Sequence, residues 1–296
     1  MTRIVAAGIT TLDFIYSVDV MPSEALKYRS KALTTSGGGL AGNAATACAR
    51  LGCDVRLIAR LGDDPVAQSI LAEFHDEGVD TSGIRLFAGH RSPVSAVMVD
   101  PAGERMVVSY SDDTIPAGTD WFPADLGQWM DAAHTDTRWI EAALAVLAEA
   151  RKAGKPSVLD ADRKPTRPEV IGLASHVGFS AQALREFTGI HDLPVALAQA
   201  AAAAVNILIV TDGPRGCWYM EGGRVHHVPA FAVNAVDTLG AGDTWHGALA
   251  VALAEAQPLG RAIRFASAAA ALKCTEFGGR KGMPTRSALD HFLKGS

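Results

Sequence analysis

Residues 140–211 read IEAALAVLAEARKAGKPSVLDADRKPTRPEVIGLASHVGFSAQALREFTGIHDLPVALAQAAAAAVNILIVT, and this stretch decides the fold class. Ile140–Lys152 repeats its apolar residues every three to four positions, which predicts a helix. Ser157–Asp160 and a segment near Val177–Phe179 are short and apolar and predict buried strands. Ala181–Phe187 predicts another helix, Pro194–Ala204 an alanine-rich one, and Asn206–Thr211 a further strand. Helix–strand alternation of this kind predicts a mostly parallel sheet covered on both faces.

Toward the C-terminus, Cys217–Met220 with Arg224–Val228 reads as a hairpin and Leu259–Lys273 as a long helix. Toward the N-terminus, Arg3–Gly8 and Val55–Leu61 read as strands, and about Ala41–Leu51 and Pro65–Glu77 as helices. Less buried strands are expected between residues 14 and 35, and Ser95–Val99 with Arg105–Tyr110 forms a hairpin around Pro101-Ala102-Gly103-Glu104. No linker, repeat or low-complexity tract interrupts residues 1–296, which are read as one α/β domain.

Composition narrows the function classes. A hydrophobic content of 48% with 20% charged residues permits a substantial core. A net charge of −5 offers no basic surface to nucleic acid. Cys48, Cys53, Cys217 and Cys274 are too few for a disulfide framework and lack metal-ligand spacing. The N-terminus lacks a signal-peptide layout, and the apolar run from Ala200 to Val210 is too short to span a bilayer. The expectation is a soluble cytoplasmic protein with neither nucleic acid nor membrane as partner.

The chemistry concentrates in Asp237-Thr238-Leu239-Gly240-Ala241-Gly242-Asp243, which runs directly into a helical stretch, Thr244–Leu253. Glycines around a small residue turn the backbone sharply and aim N–H groups into one space, and the helix start adds its positive dipole end. Asp243 in the same turn would accept the proton of an alcohol attacking a phosphate there.

D-T-x-G-A-G-D before a small-residue helix resembles the C-terminal signature of the PfkB, or ribokinase-like, carbohydrate kinases. The likeness extends from Gly8-Ile9-Thr10 and Asp13 through Gly37-Gly38-Gly39 to Gly278-Gly279. It implies a ribokinase-like α/β fold: a mostly parallel central sheet flanked by helices, with a small β-sheet lid from about 12–36 and 92–111. It also implies that Asp243 is the catalytic base and that Gly240, Ala241 and Gly242 form the anion hole. Gly38, Gly39 and Asn43 match the family's G-G-x-x-x-N sugar element, and Asp13, five residues after Gly8, matches the carboxylate that holds sugar hydroxyls. Thr211, Gly213 and Gly216 resemble its nucleotide loop, and Gly278 and Gly279 the segment that closes over adenine. ATP with Mg²⁺, a small-molecule sugar and a homodimer formed through the lid are the implied cofactors and partners.

One departure stands out. The family's N-x-x-E, which organises Mg²⁺ through water, is Ser180 and Ala183 here, so no metal ligand is assigned. Asp160, Asp162 and Arg163, at a strand end, would act through water or cap the next turn. Within the family the chain is most similar to the sulfofructose kinase branch, through Lys27-Tyr28, Gly103-Glu104-Arg105, Arg138-Trp139 and Ala271–Thr275. That branch places Lys27 and Arg138 on a sulfonate, whereas Asn43 and Ser109 fit a neutral sugar. The expected activity is ATP-dependent phosphorylation of a primary sugar hydroxyl, with 6-deoxy-6-sulfofructose first. Fructokinase, ketohexokinase or ribokinase specificity stands as the alternative within the class, and a catalytically weak nucleotide- or sugar-binding protein outside it. Gly37-Gly38-Gly39-Leu40-Ala41-Gly42 also satisfies G-x-G-x-x-G, the dinucleotide fingerprint, and keeps a dehydrogenase reading open.

Overall fold

Strand β1 (Arg3–Ala7) shows what the apolar runs are for. Ile4 and Ala6 enter one hydrophobic core while Val5 and Ala7 enter another, and all of them are fully buried. A strand buried on both faces belongs inside a sheet sandwiched by helices. The computed structural model describes residues 1–202, 204 and 206–295. Its remaining strands are β2 (Thr11–Ser17), β3 (Ala32–Gly38), β4 (Asp54–Gly62), β5 (Asp80–Phe87), β6 (Val94–Val99) and β7 (Arg105–Tyr110). They continue with β8 (Ala132–Asp136), β9 (Ser157–Ala161), β10 (His176–Ser180), β11 (Ile207–Thr211), β12 (Cys217–Glu221) and β13 (Arg224–Val228). The helices are α1 (Leu40–Arg50), α2 (Pro65–Asp76), α3 (Leu126–Trp129), α4 (Ile140–Lys152) and α5 (Glu169–Leu173). After them come α6 (Ala181–Thr188), α7 (Leu193–Ala201), α8 (Ala241–Ala254), α9 (Leu259–Cys274) and α10 (Arg286–Lys294).

Among the described residues these strands form a nine-stranded sheet, ordered β13-β12-β11-β10-β9-β8-β1-β4-β5, and a separate four-stranded sheet, β3-β2-β6-β7. The large sheet is parallel from β5 across to β11, and only the β12–β13 hairpin at its far edge runs antiparallel. Helices α1, α2, α8, α9 and α10 share one core with Ile4, Leu57, Val158 and Ile209. Helices α3 to α7 cover the opposite face through Val5, Ile58, Leu159, Phe179 and Val210.

Parallel register gathers the strand ends at one edge. Ala7 pairs with Thr135, Asp136 with Asp160, Asp160 with Gly178, and Ser180 with Thr211. The chain leaves β1 for β4 on one side and later fills β8 on the other, so the strand order reverses at β1 and β8. Open α/β sheets bind ligands at the carboxyl edge beside such a reversal.

Most of the expected elements are present within a residue or two. The helix expected over 194–204 is α7, ending at Ala201; Ala203 lies outside the described residues. Strands β5 and β8 were not foreseen: DTSGIRLF and AAHTD are rich in small and polar residues and show no β-branched run. Helices α3 and α5 also escaped, each little longer than a single turn, and so did α10, although its nine residues exceed two turns. The dinucleotide reading is corrected here. Gly37 and Gly38 end β3 of the small sheet, so the glycine run does not follow the first strand of a βαβ unit as that fingerprint requires.

Candidate active site

The signature folds as a helix start. Gly240 adopts φ 79°, a conformation that costs glycine little, and its carbonyl accepts Thr244 N–H at 2.9 Å and Thr244 Oγ1–H at 2.7 Å. Ala241 N–H closes the turn onto Thr238 O at 3.2 Å. Gly242 and Asp243 N–H open α8 without an acceptor among the described residues. Of the predicted anion hole, Gly240 therefore shapes the turn, Ala241 is committed to it, and Gly242 offers a free donor. Together with the helix dipole these N–H groups suit a phosphate oxygen.

Asp243 is held from α1. Asn43 Nδ2–H donates to Asp243 Oδ2 at 2.6 Å. The helices come this close because Gly247, one turn along α8, has no side chain: a Cβ there would lie 2.7 Å from Ala44 O. Burial, then the charge of Asp160, pushes the Asp243 carboxyl up to about 7, although the Asn43 hydrogen bond and His246 pull it down. Near neutrality such a carboxyl can take up a proton, which a free aspartate at about 3.9 does poorly.

Behind Asn43 stands Arg280, a residue that no motif singles out. It is 2% exposed. Its Nε–H donates to Asn43 Oδ1 at 2.9 Å and its Nη2–H to Gly38 O at 3.0 Å, while Nη1 lies 3.3 Å from Glu73 Oε1. Phe74 stacks under the guanidinium at 4.5 Å. Glu73 also accepts Gly37 N–H at 2.6 Å. A Cβ on Gly37 would overlap the Arg280 guanidinium, and one on Gly38 the carboxylate of Asp13. Gly39, at φ 80°, begins α1 against the backbone of Ile9 and Thr10. Gly37 and Gly38 are thus glycine because charged side chains press on them, and Gly39 because of its positive φ and the backbone beside it.

Asp13 is itself buried and accepts Thr11 Oγ1–H at 2.8 Å. Burial raises its pKa, while hydrogen bonds from Thr11 and Ser95 and the charge of Arg280 oppose the rise. Arg280 therefore joins Asp13, Gly38, Asn43 and Asp243 into one connected site.

The strand edge beside it is acidic, yet its carboxylates are occupied. Fully buried Asp136 accepts N–H bonds from Ile9 at 2.8 Å, Ala41 at 3.2 Å and Arg138 at 2.8 Å, tying β1, α1 and β8 together. Burial pushes it up to about 7. Asp160 faces His246 at 3.0 Å. Asp162 accepts Thr137 Oγ1–H at 2.8 Å and pairs with Arg138 through Nε at 3.1 Å and through Nη2. Ser180 caps α6, its Oγ accepting Ala183 N–H at 3.0 Å. The two positions that depart from N-x-x-E are thus the two ends of a helix cap. Among the described residues no group of His, Cys, Asp and Glu is arranged to hold a metal ion.

The other predicted residues fall into three places. Thr211 ends β11, with its Oγ1–H on Phe179 O at 3.4 Å. Gly213 opens a 3-10 turn at φ 53°, facing open space, whereas Gly216 lies against Val228 O where a Cβ would overlap. Gly278 and Gly279 donate N–H to Asp237 Oδ2 at 3.0 and 3.2 Å, and the buried ammonium of Lys273 lies 3.3 Å from the same oxygen. That clamp fastens the Gly278–Gly279 segment to the signature. Lys27 is exposed in the loop after β2 and pairs with no carboxylate among the described residues.

Fold and site together define a sugar kinase of the ribokinase-like α/β class. Residues 1–286 match the pfkB family carbohydrate kinase, and the chain belongs to that family. It is 28% identical over 302 residues to the ribokinase of Bacillus subtilis (strain 168), covering 99% of this chain and 100% of the relative. A crystal structure from Agrobacterium tumefaciens, provisionally assigned as a ribokinase, superposes with a TM-score of 0.96 at 36% identity over 99% of this chain and 98% of the other. The structure of Arabidopsis thaliana ribokinase complexed with ribose and ATP shares the fold, with a TM-score of 0.87 at 24% identity over 100% and 99% of the two chains. No helix among the described residues is long and apolar enough to cross a membrane.

Proposed function

We propose that the chain transfers the γ-phosphate of ATP to a primary hydroxyl of a ketohexose-type sugar, with 6-deoxy-6-sulfofructose as the first candidate. The observation that carries the chemistry is the turn before α8: a carboxyl pushed up to about 7 beside unclaimed N–H groups at a helix start. Asp243 takes the hydroxyl proton as the oxygen attacks phosphorus, the bond from phosphorus to the bridging oxygen breaks, and ADP leaves. Gly242 and Asp243 N–H stabilise the charge on the transferred group.

Sugar hydroxyls bind Asp13 and the second hydrogen of Asn43 Nδ2, with the Gly38–Gly39 backbone as floor. The nucleotide lies along Thr211, Gly213 and Gly216 and reaches Gly278–Gly279. Mg²⁺ would enter with the nucleotide phosphates and neutralise their charge, since Asp160 and Asp162 already have partners. The small sheet acts as a lid that excludes water, its inner face carrying Asp13, Ile15 and Val97 beside Leu239 and Phe277. A second copy of the chain docks on its outer face.

Arg138 reaches a sulfonate through Nη1, because Nε and Nη2 are engaged by Asp162. Lys27 reaches it by loop movement. The rival is a neutral sugar such as fructose or ribose, with Lys27 and Arg138 as bystanders, and the Arg138–Asp162 pairing favours it. Mg-ATP turnover against sulfofructose, fructose, tagatose, ribose and adenosine decides between them. Turnover confined to sulfofructose, lost in Arg138→Ala, supports the sulfonate; equal turnover of neutral sugars removes it. In either case Asp243→Asn lowers kcat roughly 10²- to 10⁴-fold, the range for a general base.

A further inference from the structure

One turn beyond Asp243, α8 buries a histidine that no motif explains. His246 is 3% exposed. Its Nδ1 lies 2.8 Å from Gly242 O and 3.0 Å from Asp160 Oδ2, and its Nε2 lies 3.1 Å from Gly178 O. Both ring nitrogens therefore face only acceptors. A neutral imidazole has one N–H and would leave one of these contacts as two lone pairs in opposition; only the doubly protonated ring satisfies both sides. Asp160 supplies the counter-charge, and its pairing raises the histidine above its ordinary range despite burial. Gly178 is part of the same construction. It sits in the middle of β10, where a side chain would normally pack, and a Cβ there would overlap His246 Nε2.

We propose that His246 is a positioning residue for phosphoryl transfer: its imidazolium fastens the Gly242 peptide and the first turn of α8 to β9 and β10, and cancels the Asp160 charge beside Asp243. The inference rests on Asp243 being the base. The fastened peptide is the one whose N–H neighbours the reacting phosphate, so movement of the ring moves the anion hole. The charge matters as well. Asp160 approaches Asp243 from β9 and Asp162 from just beyond it, His246 from its own helix, and Arg280 from behind Asn43 of α1; Arg138 neutralises Asp162. On β8, His134 is held neutral, with burial pushing it down to about 3, and Asp136 is turned to backbone N–H groups. Burial already raises the Asp160 carboxyl and His246 is what chiefly opposes the rise, so without the imidazolium Asp160 and Asp243 would hold a proton between them that must leave before Asp243 can act.

The test uses the full chain and the sugar that turns over best in the panel above. For His246→Gln we expect kcat to fall roughly 10- to 100-fold, the scale of a small misplacement at a reacting centre. The sugar KM should change little, and the acid limb of kcat/KM should move to higher pH. In Asp160→Asn/His246→Gln, which removes both charges, that limb should return to its original position. Nitrogen NMR of the wild-type ring should show both nitrogens protonated at pH 7. A limb that stays in place in His246→Gln while only thermal stability falls would reduce His246 to packing, as would a ring found neutral at pH 7. Failure of the underlying reading is separate: near-normal activity of Asp243→Asn would remove the base itself, whatever His246 does.

Discussion

At the scale of single residues, the buried carboxyl of Asp243 costs the fold stability. Asp243 is raised to about 7 against an unfolded aspartate near 3.8, so the folded state holds its proton more tightly than the unfolded chain does. The sign follows from linkage. This carboxyl is harmless below the unfolded value, and it costs stability progressively as pH rises toward the folded value. Asp243→Asn should therefore be more heat-resistant than the wild type at pH 8, with the difference shrinking as pH falls toward 4. A mutant that is equally stable or weaker at pH 8 would mean that the turn needs the carboxylate for its fold. Asp243, Asn43 and Asp13 could be singled out in the sequence because each falls on a motif of the family the chain resembles. Arg280 could not: it meets Asn43 across a separation of 237 positions, and an isolated arginine carries no pattern. His246 was hidden for the same reason, its explanation lying in Gly178 on another strand.

At the scale of elements, what was legible was periodicity, and what was lost was whatever tertiary contact overrode it. Helix α4 and strands β9, β10 and β11 announce themselves through apolar spacing, whereas β8 is a core strand made of Ala132, Ala133, His134, Thr135 and Asp136. Its neighbours on both sides make it a strand. Invisibility of β8 cost the reading Asp136, the carboxylate that ties β1 to α1. The clamp after α9 is another tertiary device. Lys273 is fully buried, with its ammonium 2.8 Å from Asp237 O, and Asp237 Oδ1 accepts Leu239 N–H at 2.8 Å. Lys273→Met would strand the Asp237 carboxylate inside the protein. A loss of about 3 kcal/mol or more in urea unfolding is expected, the usual result of removing one partner of a buried pair. Weaker nucleotide binding should accompany it, since Gly278 and Gly279 hang on the same carboxylate. A variant with near-wild-type stability would show that the pair contributes nothing net.

At the scale of the whole molecule, the small sheet carries a cluster of exposed large apolar side chains. The cross-strand pairs Tyr16–Leu33, Tyr16–Met98 and Met98–Met106 put these side chains on one face, and Ala96–Val108 and Val94–Tyr110 extend it. The opposite face turns toward Leu239 and Phe277. On the outer face Leu33 is 55% exposed, Val108 61% and Tyr110 47%, and every residue of β7 is exposed. Large apolar side chains gathered on an exposed sheet, with an unpaired edge at β7, mark a docking surface more often than a free one. A second copy meeting it about a two-fold axis would cover the same residues on both subunits and close the assembly. Sedimentation of the wild type at micromolar concentration should therefore give a dimer, and Leu33→Glu/Val108→Glu a monomer with its large sheet intact by circular dichroism. Kinase activity supplies the second readout. A lid steadied by its twin should lose sugar affinity when released, so the monomeric variant should show a raised sugar KM with kcat less affected. A wild type that sediments as a monomer would assign this face to some other partner. A dimer that survives both glutamates would place the contact elsewhere on the molecule.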